Sequence, residues 1–411
     1  MATEGFRKSV RNLMLLTASA VLAQPVFAQQ VFRVLPHTTA DDESPITFMR
    51  PYYAIHAAAA SSQSAPPSTA FSPVQMRHAY GFDQVSNQGA GQIIGIVDAY
   101  DDPNAEADLA VFDAQFGLPA CTSANGCFRK IYSNGSKPAT NANWDVEIAL
   151  DVEWAHAIAP KATILLVEAP TNSLGNLLAG VDVAVRNGAS AVSMSWTVGE
   201  FSGESGYDNH FVASGVTFLA ASGDDGTGVA YPAASPDVIG VGGTSLHLNA
   251  SGNYQNETAW SGSGGGLSKI EREPLFQAQF AIPDDSKGYR GAPDVAYDGD
   301  PGTGVAIYDS VGINGYAGWF QVGGTSAGTP QWAALIAITN SLRAAGRKAN
   351  LSSTDTSLYS LGDASASDFH AITQGTNGTC GALCTATAGY DYVTGLGTPQ
   401  AAVLIAALAA R

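Results

Sequence analysis

Ser326 follows Gly323-Gly324-Thr325 and opens a run, Ala327–Arg343, that reads as a helix. A serine at a helix N-terminus sits in the positive end of the helix field, near unpaired backbone N–H groups. Those groups favour a developing oxyanion, so Ser326 has the setting of a nucleophile. The same four residues recur at Gly242-Gly243-Thr244-Ser245, but His247–Tyr254 then reads as a hairpin turning at Ser251-Gly252. Ser245 therefore lacks the following helix.

A serine nucleophile needs a base. None of the seven histidines stands in a context that marks one, and His37 and His56 fall in the leader. Carboxylates are the alternative. The segment Trp144–Pro160 reads WDVEIALDVEWAHAIAP. Glu147 and Asp151 are four apart, so on a helix they share a face, offset by roughly 40°. Glu153 and His156 turn about 240° and about 180° away from Glu147. Two acids on one face repel when both are ionised, so the pair holds one proton to higher pH and can act as a base below neutrality. Asp224 lies in Ser222-Gly223-Asp224-Asp225-Gly226, just after the apolar strand Val216–Ala220. The carboxyl ends of parallel strands are where α/β sheets place ligands. A protonated Asp224 could donate to an oxyanion. Each feature alone has a plainer reading: an N-cap serine, a solvated acidic helix face, an Asp/Gly turn or calcium loop.

These residues need a scaffold. Ile93–Val97 is a buried-type strand ending at Asp98, and Ala162–Val167 is another, ending at Glu168. Ala189–Ser193, Val216–Ala220 and Val238–Val241 are further short apolar runs. Glu147–Ala157 and Leu174–Arg186 read as helices between them. Continuous apolar strands alternating with helices predict a parallel sheet covered on both faces. Pro330 is expected in the first turn of the Ser326 helix, where a missing N–H costs little. Ala401–Ala410 reads as a packed terminal helix.

The chain has 411 residues, 45% of them hydrophobic, with a formal charge of −17. That supports a large core and argues against a nucleic-acid surface, which needs clustered cations. Arg7, Lys8 and Arg11, the apolar run Leu13–Ala23 and Val26-Phe27-Ala28 read as a signal peptide over residues 1–28. The expected location is therefore extracellular or periplasmic, with no membrane attachment after signal removal. Residues 29–70 read as a short pro-segment and linker, with Ala57–Ala70 rich in Ala, Ser and Pro. Residues 71–411 form the expected catalytic domain. The four cysteines fall into two close pairs, and export predicts two disulfides, Cys121–Cys127 and Cys380–Cys384. A metal site is the rival reading, but no histidine adjoins either pair in sequence.

Read together, EIALDVEWAHAIAP, SMSWTVGE, AASGDDG, RGAPDVAYDGDP, VGGTSAGTPQWAALIA and YVTGLGTP occur in one order from Phe71 onward. In this combination the chain resembles the sedolisin family of serine-carboxyl peptidases, relatives of the subtilisins. The resemblance implies a subtilisin-like parallel sheet with helices on both faces, in a single catalytic domain. It implies that Glu147 is the base for Ser326, that Asp151 orients Glu147, and that Asp224 serves the oxyanion. It matches Ser195, Trp196 and Thr197 to the strand that pairs with substrate backbone. The implied activity is acid endopeptidase cleavage of proteins or peptides by a monomer, with a bell-shaped pH profile.

Three departures stand out. Only some 40 residues precede the domain after the signal, where the family carries a large folded prodomain, so self-inhibition is not expected from length alone. Thr197 replaces the usual glycine of Ser-Trp-Gly. The family's calcium loop would use Asp391 and Ile372, but Ala371 stands where a carboxylate is usual, so calcium binding is weakened. The Cys380–Cys384 pair lies in that loop and could hold it instead. The alternatives are a tripeptidyl exopeptidase of the same family, a subtilisin-type enzyme using Asp98, which the missing histidine disfavours, and an exported binding protein of this fold without catalysis.

Overall fold

The computed structural model describes residues 1, 31–32, 48–51, 53–56, 65–283, 288–364 and 367–411. The rest of the expected signal peptide, and much of the expected leader, lies outside them.

The apolar runs form the centre of one sheet. Ile93–Ala99 pairs in parallel with Thr163–Ala169 on one side and Ala191–Met194 on the other. Phe128–Tyr132 adds beyond Thr163–Ala169, and Thr217–Ala221 beyond Ala191–Met194. Ile239–Leu248 follows, parallel to both Thr217–Ala221 and Val295–Asp298. The antiparallel strand Tyr254–Ala259 completes this eight-stranded sheet. Asn249 and Asn253 close the hairpin between its last two strands through a 2.9 Å backbone bond. The runs read from sequence are therefore strands, though Val238–Val241 continues much further, to Leu248.

Alternation along each strand sends side chains to two cores. Val97, Leu165 and Val167 pack with Leu177, Leu178 and Val181 of the helix Leu174–Arg186. Ile94, Ile96, Ile164 and Leu166 face the helices Ala142–Ile158 and Thr325–Ala345. Each fully buried aliphatic chain contributes about 1.5–3 kcal/mol, which is why both faces need a helix cover. The Ser326 helix lies close on Val295–Asp298 because Gly328 has no Cβ. One there would stand 2.6 Å from Tyr297 Cβ.

The Ser326 helix begins at Thr325, two residues earlier than the sequence suggested, so Pro330 is its sixth residue. Proline has no N–H, and this one cannot donate to the carbonyl of Ser326 four residues back. Its place is inside the helix, not in the harmless first turn.

Residues 48–51 and 53–56 pair with strands of the main body. Arg50–Pro51 pairs antiparallel with Trp196–Gly199: Arg50 stands opposite Thr197 and Pro51 opposite Trp196. Ala54 then stands opposite Gly323 and Ile55 opposite Val322. Met49, Tyr53 and Ile55 are buried. The run Phe48-Met49-Arg50-Pro51 carries apolar residues of its own, and composition around Ala57–Ala70 masked that signal.

Candidate functional site

Ser326 is the second residue of its helix. Gly324, just before, has φ 114° and ψ 160°, a conformation that side chains rarely adopt. It lets the strand Tyr316–Gly323 turn abruptly into the helix. Asp224 fastens that turn from the loop after Thr217–Ala221. Its Oδ1 accepts from the Thr325 N–H at 2.8 Å and from the Thr325 hydroxyl at 2.9 Å. The Thr325 hydroxyl oxygen in turn accepts from the Gly223 N–H at 3.1 Å. The loop after Thr217–Ala221 is thus stapled to the residue before Ser326.

Glu147 and Asp151 lie on one face of Ala142–Ile158, as their spacing predicts. Both are fully buried. Asp151 Oδ1 accepts from the Ser195 hydroxyl at 2.8 Å, and the Ser195 carbonyl accepts from the Ser326 hydroxyl at 3.4 Å. Ser195 therefore links the nucleophile to the second acid. Neither Glu147 oxygen has a well-formed hydrogen bond. The Ser326 hydroxyl nevertheless acts on Glu147 in the direction of a donor, lowering its proton affinity. Glu153 turns away and accepts from the Tyr308 N–H at 3.1 Å.

Burial pushes Glu147 well above the usual carboxylate range, and the charges of Asp151 and Asp98 push the same way. The Ser326 hydroxyl opposes them, and Asp224 adds to them. Asp151 is also raised, first by burial and then by Asp98, against the Ser195 hydroxyl. Asp98 itself is raised to about 8 by burial. Four acids therefore crowd one space beside a serine. Like charges in low dielectric cannot all ionise, so the group shares protons. Asp98 was legible only as the acid of the subtilisin-type alternative. Its place beside Glu147 and Asp151 depends on strand order.

Trp196 Nε1 donates to the Val97 carbonyl at 2.7 Å, which fixes the strand that follows Ser195. Thr197, the departure from glycine, is buried and pairs with Arg50 without breaking the ladder. Ser326 falls between the two pairings of the leader, Pro51 with Trp196 and Ala54 with Gly323. A chain segment thus crosses the site as a peptide would, with hydrogen-bonded strands on either side of the serine.

Both cysteine pairs are disulfides, with Cα–Cα distances of 4.9 Å for Cys121–Cys127 and 5.4 Å for Cys380–Cys384. A histidine does approach one pair in space: His156 Nδ1 lies 4.0 Å from Cys127 Sγ. The sulfur is bonded to its partner, so it is no metal ligand as it stands.

The calcium expectation meets poor geometry. Asp391 Oδ1 accepts from the Val393 and Thr394 N–H groups at 2.9 Å, and Oδ2 from the Thr394 hydroxyl at 2.8 Å. Its oxygens serve their own loop, and Ala371 offers no carboxylate. Ile372 is buried beside Ala259 and Val393 in a small apolar cluster. These residues do not fit a calcium ion, and no step below uses one.

Comparison with known proteins places the fold in a family. The Subtilase family model matches residues 138–411. Kumamolisin of Bacillus sp. (strain MN-32) is 34% identical over 387 residues, 85% of this chain and 65% of that protein. Tripeptidyl-peptidase sed4 of Aspergillus fumigatus is 30% identical over 236 residues, 45% of this chain and 37% of that protein. The chain thus spans less than two thirds of either relative's length. In solved structures, Pseudomonas sedolisin, a serine-carboxyl proteinase complexed with two molecules of pseudo-iodotyrostatin, superposes with a TM-score of 0.72. Identity is 26%, over 85% of this chain and 100% of that one. The sheet order and these likenesses describe one architecture, and the chain belongs to the subtilase family, on its sedolisin branch.

Proposed function

We propose that the chain is an exported, acid-active endopeptidase that uses Ser326, Glu147, Asp151 and Asp224. The observation that carries this reading is the linked set at the leader crossing: Ser326 to Ser195, Ser195 to Asp151, and Glu147 beside both. Glu147 takes the hydroxyl proton as Ser326 Oγ attacks the carbonyl carbon. Asp151 shares the proton load of Glu147, held in place by Ser195. Protonated Asp224 donates to the oxygen that gains charge. The C–N bond then breaks, Glu147 returns the proton to the leaving amine, and water releases the acyl group from Ser326. Glu147 must be able to accept a proton while Asp224 still carries one, which favours acidic pH.

The leader supports endopeptidase over tripeptidyl cleavage. Four described residues, 48–51, precede the crossing point. Phe48 bridges to Ser173, and the Met49 N–H donates to the Asn172 carbonyl at 2.8 Å. Room for these four residues upstream of the crossing favours the endopeptidase reading. We further propose the order signal 1–28, leader 29–70 and catalytic domain 71–411, with the leader covering the site until it is cut. The protein acts as a monomer on proteins or peptides outside the cytoplasm. No described helix is long and apolar enough to cross a membrane.

Wild type and Ser326→Ala are incubated with denatured protein at about pH 4, where ordinary carboxylates are half ionised. Wild type should release peptides of varied length and Ser326→Ala none. Equal cleavage by both removes the assignment, and products that are all tripeptides remove the endopeptidase reading. Excess EDTA should leave the melting temperature of the full chain unchanged, because the Asp391 loop is satisfied by its own donors. A clear drop would reinstate a structural cation.

A further inference from the structure

Tyr53 is the leader residue next to the crossing point, and its side chain enters an acidic recess. It is 4% exposed, yet its hydroxyl has no hydrogen-bond partner. The charges it meets are, in order, those of Glu147, Asp309 and Asp145. Asp145 lies on the carboxylate helix two residues before Glu147. It is fully buried, and neither of its oxygens has a partner. Asp102 is buried too. Its Oδ1 accepts from the Asn104 N–H at 2.8 Å, while Oδ2 has no hydrogen-bond partner. Asp309 accepts from the Val311 N–H at 2.9 Å and from the Gly312 N–H at 3.2 Å.

The nearby cations pair with other carboxylates, though Lys130 also donates to the Asp102 backbone carbonyl at 2.5 Å. Lys130 sits 2.8 Å from both Asp101 and Glu168, and Lys137 sits 3.0 Å from Asp101. Among the described residues, no ion pair reaches Asp102, Asp145 or Asp309. A bare metal ion does not suit the recess either. The only described group whose ligand atoms all lie within 4.8 Å of one another is Cys121, Cys127 and His156. Acids set further apart suit an extended organic cation that touches them through separate N–H donors.

We propose that the recess holding Tyr53 is a substrate subsite beside the cleaved bond, and that it takes a lysine or arginine side chain. This rests on the peptidase reading above. Tyr53 fills the volume but supplies only one weak proton donor. Under it, burial keeps Asp145 protonated up to about 9, with the charges of Asp102 and Asp309 acting the same way. An ammonium or guanidinium in its place would favour the ionised carboxylate. One proton would leave to solvent, and a charge-assisted hydrogen bond would form. The leader is then a modest occupant of its own enzyme's cleft, and basic substrates would displace it.

Peptides of the form Arg-Pro-Tyr-X-Ala-Ile, with X as Lys, Arg, Tyr, Ala or Glu, are given to the acid-treated full-length chain. A charge-assisted contact should raise kcat/KM for Lys or Arg about tenfold over Ala, with Glu poorest. In Asp145→Asn and Asp309→Asn the Lys-to-Ala ratio should fall toward one, whatever common factor the rates lose, and Asp145→Glu should restore part of it. A wild-type ratio of one, or a ratio unchanged in both Asn variants, overturns the subsite. Failure of the peptidase reading looks different: no peptide is cut, or Ser326→Ala cuts all of them as wild type does, and both readings then fall. Hydrogen exchange over residues 48–56 in the Ser326→Ala chain gives a second test without turnover. Exchange should slow with Tyr53→Lys and quicken with Tyr53→Glu. The same rate for both also overturns the proposal.

Discussion

Ser195 holds the two halves of the site together. Its hydroxyl donates to Asp151 and its carbonyl accepts from Ser326. The donated bond lowers the proton affinity of Asp151, against burial and Asp98. Removing it in Ser195→Ala should raise Asp151 further. The limb of the pH–rate profile on which the acid pair loses its proton should then move to higher pH. An unmoved limb would show that Asp151 does not share the proton of the base. That Glu147 and Asp151 share a helix face was legible in sequence because a spacing of four on a helix is a local property. Asp98 was not legible as a member of the group. Its carboxyl joins Glu147 and Asp151 only through the order in which distant strands line up.

Elements aim these residues, and the sharpest device is the turn at Gly324. With φ at 114°, an alanine there would be strained, at a cost of about 1–3 kcal/mol. Gly324→Ala should lower stability by about that amount and lower activity more, because relaxing the strain moves Ser326 itself. Loss of stability with full activity would contradict this. Sequence placed the helix two residues too late for a nonlocal reason. Its first N–H, that of Thr325, is capped by Asp224 from a loop, 101 residues away in sequence. Local capping patterns do not reveal such a partner. The central apolar strands, by contrast, were legible, since a run apolar on both faces has few other places to go, while the less apolar Phe128–Tyr132 was not read.

For the molecule as a whole, the leader decides which state is observed. With residues 48–56 in the cleft, Asp98 is raised to about 8 and Asp145 to about 9, both mainly by burial. Unfolded, such groups titrate near about 4. Between those limits the folded chain binds more protons than the unfolded one, so its stability falls as pH rises. The full-length Ser326→Ala chain should therefore melt at a higher temperature at about pH 4 than at about pH 8, and the opposite order would refute the buried-acid account. The covering role proposed for the leader was not legible from length. Short pieces such as 50–51 and 54–55 pair with strands on either side of Ser326, and so few residues leave no length signal.

The most direct measurement is kcat/KM for one peptide across pH, for wild type, Glu147→Gln and Ser326→Ala. The account predicts a bell with an acidic maximum for wild type and background rates for both variants at every pH. Activity that survives in Glu147→Gln, or a wild-type rate still climbing above about pH 8, would contradict it.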